Sequence, residues 1–227
     1  MKVTRYLLSA AAVIAVAALL AAGTLVKSPH VHAQDERERD SRVERWIEIA
    51  PVPLNLEGKN RELVGLGSYL VNGVAACNDC HSAGPQTQFV PGGNPFFGQP
   101  TTTNPATYLG GGRDFGPLLP IPGSPHIVSR NLTPDKTGLP AGGRSFSEFR
   151  EILRTGVDLD HVHPPCSATV TTNCLPQPFN GNLLQIMPWF DYQKMIERDI
   201  RAIYEYLSAI PCIEGPPGPS VLHNDCQ

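Results

Sequence analysis

This chain carries little charge, few aromatic rings and few methionines for its length. Charged side chains make up 17 % of its 227 residues and aromatic ones 7 %, and the net charge is −3. The lack of a basic excess argues against nucleic-acid binding, which needs a positively charged face. No internal repeat is visible, so repeat architectures are also excluded. Because there are three methionines in all, each one can be considered individually.

The N-terminal sequence has the pattern of an export signal. A short basic stretch, Met1–Arg5, precedes an apolar run from Tyr6 to Val26, and Val31 and Ala33 are small residues suited to a cleavage site. The run also approaches the roughly 20 residues that span a bilayer. Residues 1–33 are therefore predicted to be a signal peptide or a retained membrane anchor. Both readings place the folded part outside the cytoplasm. Without these residues, 15 basic side chains face 21 acidic ones.

The most informative motif is Cys77-Asn78-Asp79-Cys80-His81, which has the C-x-x-C-H spacing of a c-type haem attachment site. Two thiols at this spacing can each bond one vinyl group of a porphyrin edge, and the following histidine can donate a ring nitrogen to the iron. A zinc half-site would need a second close pair of ligands, and a thioredoxin-like redox pair would need a surrounding βαβ pattern. Neither is present in the sequence, so one covalent haem c is predicted, with His81 as a metal ligand.

Met187 is the candidate for the second axial ligand. It lies in Gln185-Ile186-Met187-Pro188-Trp189-Phe190, where Pro188 stiffens the loop. A thioether ligand favours Fe(II) over Fe(III), so His/Met ligation raises the potential relative to His/His ligation. The alternative is that Met187 only fills the core. The competing Met195 falls inside a predicted helix, where packing is the more natural role. Other possible ligands are the loop histidines His126, His161, His163 and His223.

Four cysteines remain outside the haem motif, and in an oxidising compartment an even number favours disulfides. They allow three pairings. The local pairing, Cys166 with Cys174 and Cys212 with Cys226, is preferred because each bridge would close a Pro-rich stretch that has little other means of ordering itself. The alternative is free buried thiols.

Three helices are predicted from apolar periodicity and capping signals. The first covers residues 60–76 and leads into the haem motif. The second begins at Ser145, whose capping box with Glu148 precedes a run that ends at Gly156. The third covers about Asp191 to Ser208, with a buried stripe that includes Ile196, Ile200, Ile203, Tyr204 and Leu207.

The rest of the chain is predicted to be loop. Residues 34–59 form a charged tether, residues 60–211 form one domain, and residues 212–227 form a Pro/Gly-rich tail. Within the domain, residues 84–143 are an insert with Gly or Pro at almost every turn. The insert holds five aromatic residues, which a disordered linker rarely carries, so it is predicted to wrap around the domain in an ordered form.

These motifs together resemble bacterial monohaem class I-like cytochromes c, and more closely the haem modules of the cytochrome subunits of alcohol and gluconate dehydrogenases. The matching segments cover most of residues 60–211. They are Gly67-Ser68-Tyr69-Leu70-Val71, the Cys77–His81 motif, Asn131-Leu132-Thr133-Pro134-Asp135, the helix from Phe146 to Gly156, Met187-Pro188-Trp189 and Asp199–Leu207.

The resemblance implies an all-α, cytochrome c-like fold with about three core helices around one haem and long Gly/Pro-rich loops. It implies that Cys77 and Cys80 bind the haem covalently, that His81 and Met187 ligate the iron, and that the first and last helices cross near Gly67 and Tyr204. The chain departs from the family in having Ile196 where a Thr or Ser helix cap is usual, so its last helix is expected to start earlier, near Asp191. It also has one haem motif, whereas the dehydrogenase subunits carry several.

The predicted function is periplasmic electron transfer between a dehydrogenase and a respiratory acceptor, without catalysis. Its partners would be redox proteins such as a periplasmic dehydrogenase, a respiratory oxidase or another cytochrome. Nucleic acid is excluded, and the membrane is involved only through the N-terminal segment. The alternative is a peroxidase-like haem enzyme, with His161 or His163 and Arg113 or Arg130 near an exchangeable site. A sensing module is disfavoured because no output domain is apparent.

Overall fold

The computed structural model of the chain describes residues 29–216 and 223–227. The apolar run from Tyr6 to Val26, on which the export prediction depends, lies outside the described residues. The chain divides into two units, residues 1–42 and 43–227, and the features below belong to the second unless stated otherwise. In the part of the chain that the structure describes, no helix is long and apolar enough to cross a bilayer.

The predicted tether over residues 34–59 is ordered, which corrects the sequence interpretation. Helix α1 runs from Pro29 to Glu48, and the charged side chains of residues 35–42 are exposed. From Val43 onward the segment packs: Val43 and Val52 are buried, and the Trp46 ring stacks on Tyr69 with 5.4 Å between centroids. Opposite charges spaced four residues apart, such as Glu38 and Arg42, favour a helix over a loose chain.

Helix α2 (Arg61–Tyr69) forms where the periodicity predicts it. The Asn60 side chain accepts a hydrogen bond from the Leu63 backbone N–H at 3.1 Å and so caps the helix. The helix widens into a π-helical turn over Leu70–Val74 before it ends. Ala76 then adopts a left-handed conformation with φ of 47°, and the short helix α3 (Cys77–His81) follows at once.

The last helix differs from its prediction. Instead of one helix from Asp191, the chain forms a single turn, α6 (Trp189–Tyr192), and then α7 (Glu197–Leu207). Ile196 is extended, with φ of −69° and ψ of 157°, and its side chain is 63 % exposed instead of buried. The break is invisible to periodicity because Tyr192, Met195 and Ile196 continue the apolar spacing across it.

Helices α2 and α7 cross at Gly67, as the resemblance implies, but the aromatic partner is not Tyr204. A methyl group on Gly67 would lie 2.6 Å from the Tyr206 Cβ and would overlap the Ala202 carbonyl. Tyr204 faces the other way and packs on helix α5 (Phe146–Thr155), with its ring centroid 5.4 Å from that of Phe146 and 5.6 Å from that of Phe149. Glycine is required at Gly67 because the two backbones touch there.

Helix α5 (Phe146–Thr155) has both hydrogen bonds of the predicted capping box. The Ser145 N–H donates to Glu148 Oε2 at 2.9 Å, and the Glu148 N–H donates to Ser145 Oγ at 3.4 Å. At its other end Gly156 is left-handed, with φ of 72°. The prediction for this element is confirmed at both ends.

The insert over residues 84–143 is ordered, and part of it is not loop. It holds a 3₁₀ turn (Pro95–Phe97), strands β1 (Asp114–Pro117) and β2 (His126–Val128), which pair antiparallel, and a short turn, α4 (Pro140–Gly143). The all-α expectation therefore missed a two-stranded sheet. Strands of three and four residues are too short to show a period of two in sequence.

The insert is held to the helices by a buried polar network. The Tyr108 hydroxyl contacts Asn72 Oδ1 at 2.5 Å and the Tyr206 hydroxyl at 2.8 Å, and both tyrosines are buried. These groups are satisfied only when the insert, the π-helical turn after α2 and helix α7 meet, so the network specifies how the insert docks. The structure also forms the two local disulfides, Cys166–Cys174 and Cys212–Cys226.

Candidate functional site

A cavity of about 450 Å³ opens beside α3, between α5, α7 and the loops that follow β2 and α5. Its lining includes all four residues that the sequence nominates for the haem: Cys77, Cys80, His81 and Met187. Met187 reaches this wall from a segment far along the chain. The size lies within the roughly 300–1,000 Å³ that is usual for ligand and cofactor sites.

Most of the cavity wall is apolar. Leucine, isoleucine, valine and phenylalanine side chains from β1, β2, α5, α7 and the loops form it, including Phe115, Ile127, Val128, Leu132, Phe149, Leu153, Leu175, Leu183, Leu184, Ile203 and Leu207. An apolar ligand suits such a wall, because burying apolar surface is favourable by about 25 cal/mol per Å².

The two residues between the cysteines fasten α3 to the insert. Asn78 Oδ1 accepts the Leu109 backbone N–H at 2.9 Å, and Asp79 Oδ1 accepts from Gln88 Nε2 at 2.6 Å. Cys77 and Cys80 are three residues apart in this helix, so their side chains share one face. The motif thus presents both thiols and the His81 ring on one turn whose position is fixed by the insert.

The His81 ring has one nitrogen engaged and one free. Its Nδ1 lies 2.8 Å from the Arg130 carbonyl oxygen, so Nδ1–H donates to that oxygen and the Nε2 lone pair is left for a metal. Burial lowers the pKa of His81, which favours the neutral imidazole that metals bind. Arg130 was not assigned this role from sequence, although it directly precedes the Asn131–Asp135 segment.

The two motif cysteines are thiols, whereas the four other cysteines are paired in disulfides. Burial, followed by the neighbouring Cys80, raises the pKa of the Cys77 thiol to about 12. Cys77 therefore stays protonated at neutral pH and is not a thiolate nucleophile of the kind that disulfide exchange needs. Both thiols remain available for bonds to a group in the cavity.

Met187 lies in a tightly turned segment. Its N–H donates to the Gln185 carbonyl at 2.8 Å, and the Trp189 N–H donates to the Met187 carbonyl at 2.9 Å. Between the first pair, Ile186 has φ of 68°, an unfavourable conformation for a β-branched residue. The Trp189 ring donates from Nε1 to the Leu184 carbonyl at 3.3 Å and packs against Gly156.

The structure separates the rival ligands. His126 and His163 line the cavity, while His161 and His223 are not part of its lining. His126 Nδ1 lies 2.8 Å from Asp114 Oδ2, which leaves its Nε2 free as in His81, but the His126 side chain is 56 % exposed. His163 is different, because its Nδ1 is buried without a hydrogen-bond partner among the described residues.

The arginines suggested for peroxide chemistry are both engaged. Arg130 pairs with Asp158 at 2.5 Å and with Asp160 at 2.6 Å. Arg113 donates to the Asp79 carbonyl, and its guanidinium lies 5.2 Å from the Phe115 ring centroid. Among residues 29–216 and 223–227, no three His, Cys, Asp or Glu side chains come together as a metal site.

Comparisons with known proteins leave the family open. No family model, no curated protein and no solved structure matches this chain.

Proposed function

We propose that this protein is an exported electron-transfer cytochrome with one covalent haem c. Cys77 and Cys80 would form the thioether bonds, and His81 and Met187 would be the axial ligands. The observation that carries the proposal is that the lining of one mostly apolar cavity includes all four of these residues. When bound, haem would supply a one-electron Fe(II)/Fe(III) couple.

The residues around the cavity fit such a group. The bond from His81 Nδ1 to the Arg130 carbonyl orients the ring and leaves Nε2 free, as metal-ligating histidines require. The two thiols stand on one turn of α3, and the remaining wall is apolar. Met187 is half-buried against the core and is a neutral, soft ligand that favours the reduced iron.

The rest of the proposal concerns setting and partners. Disulfides persist in oxidising compartments, which supports a periplasmic location. With both axial positions filled, no substrate would bind the iron, so the partners would be redox proteins: a periplasmic dehydrogenase, a respiratory oxidase or another cytochrome. The resemblance of the haem motif, the Met187 segment and the last helix to dehydrogenase cytochrome modules supports this choice.

The test is an optical spectrum of the full chain matured in a bacterial periplasm. We expect sharp c-type bands on reduction and a weak far-red band in the oxidised protein, which reports methionine bound to Fe(III). Met187→Ala should abolish the far-red band. Met195→Ala is the matched control, since Met195 packs against the core and is absent from the cavity lining, and it should retain the band.

Two results would contradict the proposal. Absence of covalent haem would remove the function altogether. Covalent haem without the far-red band, together with rapid binding of azide or cyanide by the oxidised protein, would favour the peroxidase-like alternative.

A further inference from the structure

His163 carries a buried polar atom that the protein does not satisfy. Its Nδ1 is buried, has no hydrogen-bond partner among the described residues and belongs to a side chain that lines the cavity. The other such atom in the described chain, Ser82 Oγ, is not on a residue of the cavity lining. A buried polar group without a hydrogen-bond partner destabilises the fold, so each one calls for a partner. For His163 the available partner is whatever the cavity binds.

The backbone of His163 is held firmly in place. A methyl group on Gly181 would lie 2.6 Å from the His163 carbonyl oxygen, so the two chains are in direct contact there. The Asn173 side chain donates to the Val162 carbonyl at 3.1 Å, and the Leu175 N–H donates to the Pro164 carbonyl at 2.9 Å. The Cys166–Cys174 disulfide closes the same loop. These contacts hold the His163 backbone and so restrict the position of its imidazole ring.

The charged groups nearby are already satisfied. Asp158, which also lines the cavity, accepts from Arg130 at 2.5 Å and from the backbone N–H groups of Asp160, His161 and Val162 at 3.0 to 3.3 Å. The Arg130 guanidinium is shared between Asp158 and Asp160. Arg144 also pairs with Asp160, so two arginines balance the two carboxylates. His163 Nδ1 is then the buried polar atom of this part of the wall that has no partner among the described residues.

We propose that His163 Nδ1–H donates a hydrogen bond to a carboxylate of the tetrapyrrole in the cavity. This inference rests on the proposed function. Haem is an apolar disc with two carboxylates on one edge. The cavity wall is mostly apolar, and its polar residues include Arg130, Asp158, His163 and Asn173, besides His126, Ser129 and Gln185. The first four are close together, because Asp158 pairs with Arg130 and accepts from the Val162 N–H, and Asn173 donates to the Val162 carbonyl. The carboxylates accept hydrogen bonds, so this edge of the haem suits the part of the wall that holds these polar residues. His163 is thus a positioning residue for the cofactor, not an iron ligand.

The test compares three variants of the full chain after haem attachment. His163→Leu removes the donor, His163→Gln retains an N–H donor, and His161→Leu is the matched control because His161 is exposed and absent from the cavity lining. The readouts are the propionate-bending band in the resonance Raman spectrum and the midpoint potential from spectroelectrochemistry.

His163→Leu should shift the propionate band and lower the midpoint potential, because a less compensated carboxylate favours Fe(III). We expect a three- to tenfold change in the Fe(III)/Fe(II) equilibrium, which for one electron corresponds to about 30–60 mV. His163→Gln should recover most of both changes, and His161→Leu should resemble the parent protein. The far-red methionine band should persist in all three.

The outcomes separate this inference from the proposed function. If the far-red band persists but neither readout changes in His163→Leu, the hydrogen bond is absent and only this inference fails. If the far-red band is missing from the parent and His163→Leu converts a low-spin spectrum to high-spin, His163 is an iron ligand and this inference is overturned. If no haem is attached, the proposed function fails first.

Discussion

The two sides of the cavity differ in what packs against a close-contact glycine. On the His81 side, Gly111 donates its N–H to the His81 carbonyl at 2.9 Å, and a methyl group on it would lie 2.5 Å from the Arg130 carbonyl carbon. On the Met187 side, Gly156 is packed against the Trp189 ring, and a methyl group there would lie 2.5 Å from Trp189 Nε1. Both glycines are left-handed, with φ of 71° and 72°. One approach is backbone to backbone, and the other is backbone to side chain.

The difference indicates how firmly each candidate ligand is held. The main chain around Arg130 both touches Gly111 and accepts the His81 hydrogen bond, so a shift at one point moves the other. Met187 depends on a movable indole ring and on a turn strained at Ile186. A side chain can yield by rotation, whereas two touching backbones cannot. We therefore expect the His81 side to be the less tolerant of change.

Gly111→Ala should give the largest loss of stability. A non-glycine residue in the left-handed region costs about 1–2 kcal/mol, and overpacking against backbone adds about 1–3 kcal/mol. The free energy of unfolding in urea should thus fall by about 2–5 kcal/mol. Gly138→Ala is the control, because Gly138 has φ of 79° and nothing within 4 Å of an added methyl. It should lose about 1–2 kcal/mol, and an equal loss in both variants would show that the close contact is unimportant.

Gly156→Ala should cost less, about 2–3 kcal/mol, because the Trp189 ring can move aside and relieve part of the overlap. That movement would displace Met187, which is two residues before Trp189. In the haem-loaded protein, the far-red methionine band should therefore weaken in Gly156→Ala. A loss of stability exceeding that of Gly111→Ala would reverse the proposed contrast between the two sides.

The ion pairs next to His81 should make stability depend on pH. Burial alone would raise the pKa of Asp158, but its hydrogen bonds and the charge of Arg130 outweigh this and hold the pKa below its usual range. The ionised carboxylate therefore stabilises the folded state above the unfolded pKa of about 3.9, and this contribution is lost as the pH falls through the lower folded value.

Asp158→Asn should remove that dependence, so its free energy of unfolding should change less with pH below about 4 than that of the parent. The control is Asp225→Asn, whose carboxylate pairs with Lys136 at an exposed position and should alter the acid profile little. Parallel acid profiles for the parent and Asp158→Asn would contradict the prediction.

The smallest effect is expected at Ile186 on the Met187 side. Asparagine tolerates the left-handed region better than a β-branched residue does. Ile186→Asn should relieve part of the 1–2 kcal/mol of strain and lose only a half-exposed apolar contact. The net gain in unfolding free energy should be about 0.5 kcal/mol, measured by urea denaturation. A clear loss of stability would show that the Ile186 side chain, not its backbone, holds the Met187 turn.

Local signals predicted well the elements that depend on neighbouring residues. The capping box at Ser145 and the left-handed Gly156 bound α5, and the apolar spacing locates α2. The local disulfide pairing follows the same principle, because each bridge joins cysteines separated by a short stretch of chain. Within the candidate site, the three motif residues on α3 could be named in advance, since their relation is set by one helical turn.

Only the tertiary structure decided what joins distant parts of the chain. The Arg130 carbonyl beneath His81, the pairing of β1 with β2, the choice of Tyr206 over Tyr204 at the helix crossing and the unsatisfied nitrogen of His163 all depend on contacts between remote segments. The break at Ile196 belongs with them, because the apolar spacing continues through it unchanged. Hydrogen bonds and helix caps between residues that are close in the chain can be predicted from the sequence. Contacts across loops depend on which surfaces meet when the whole chain packs.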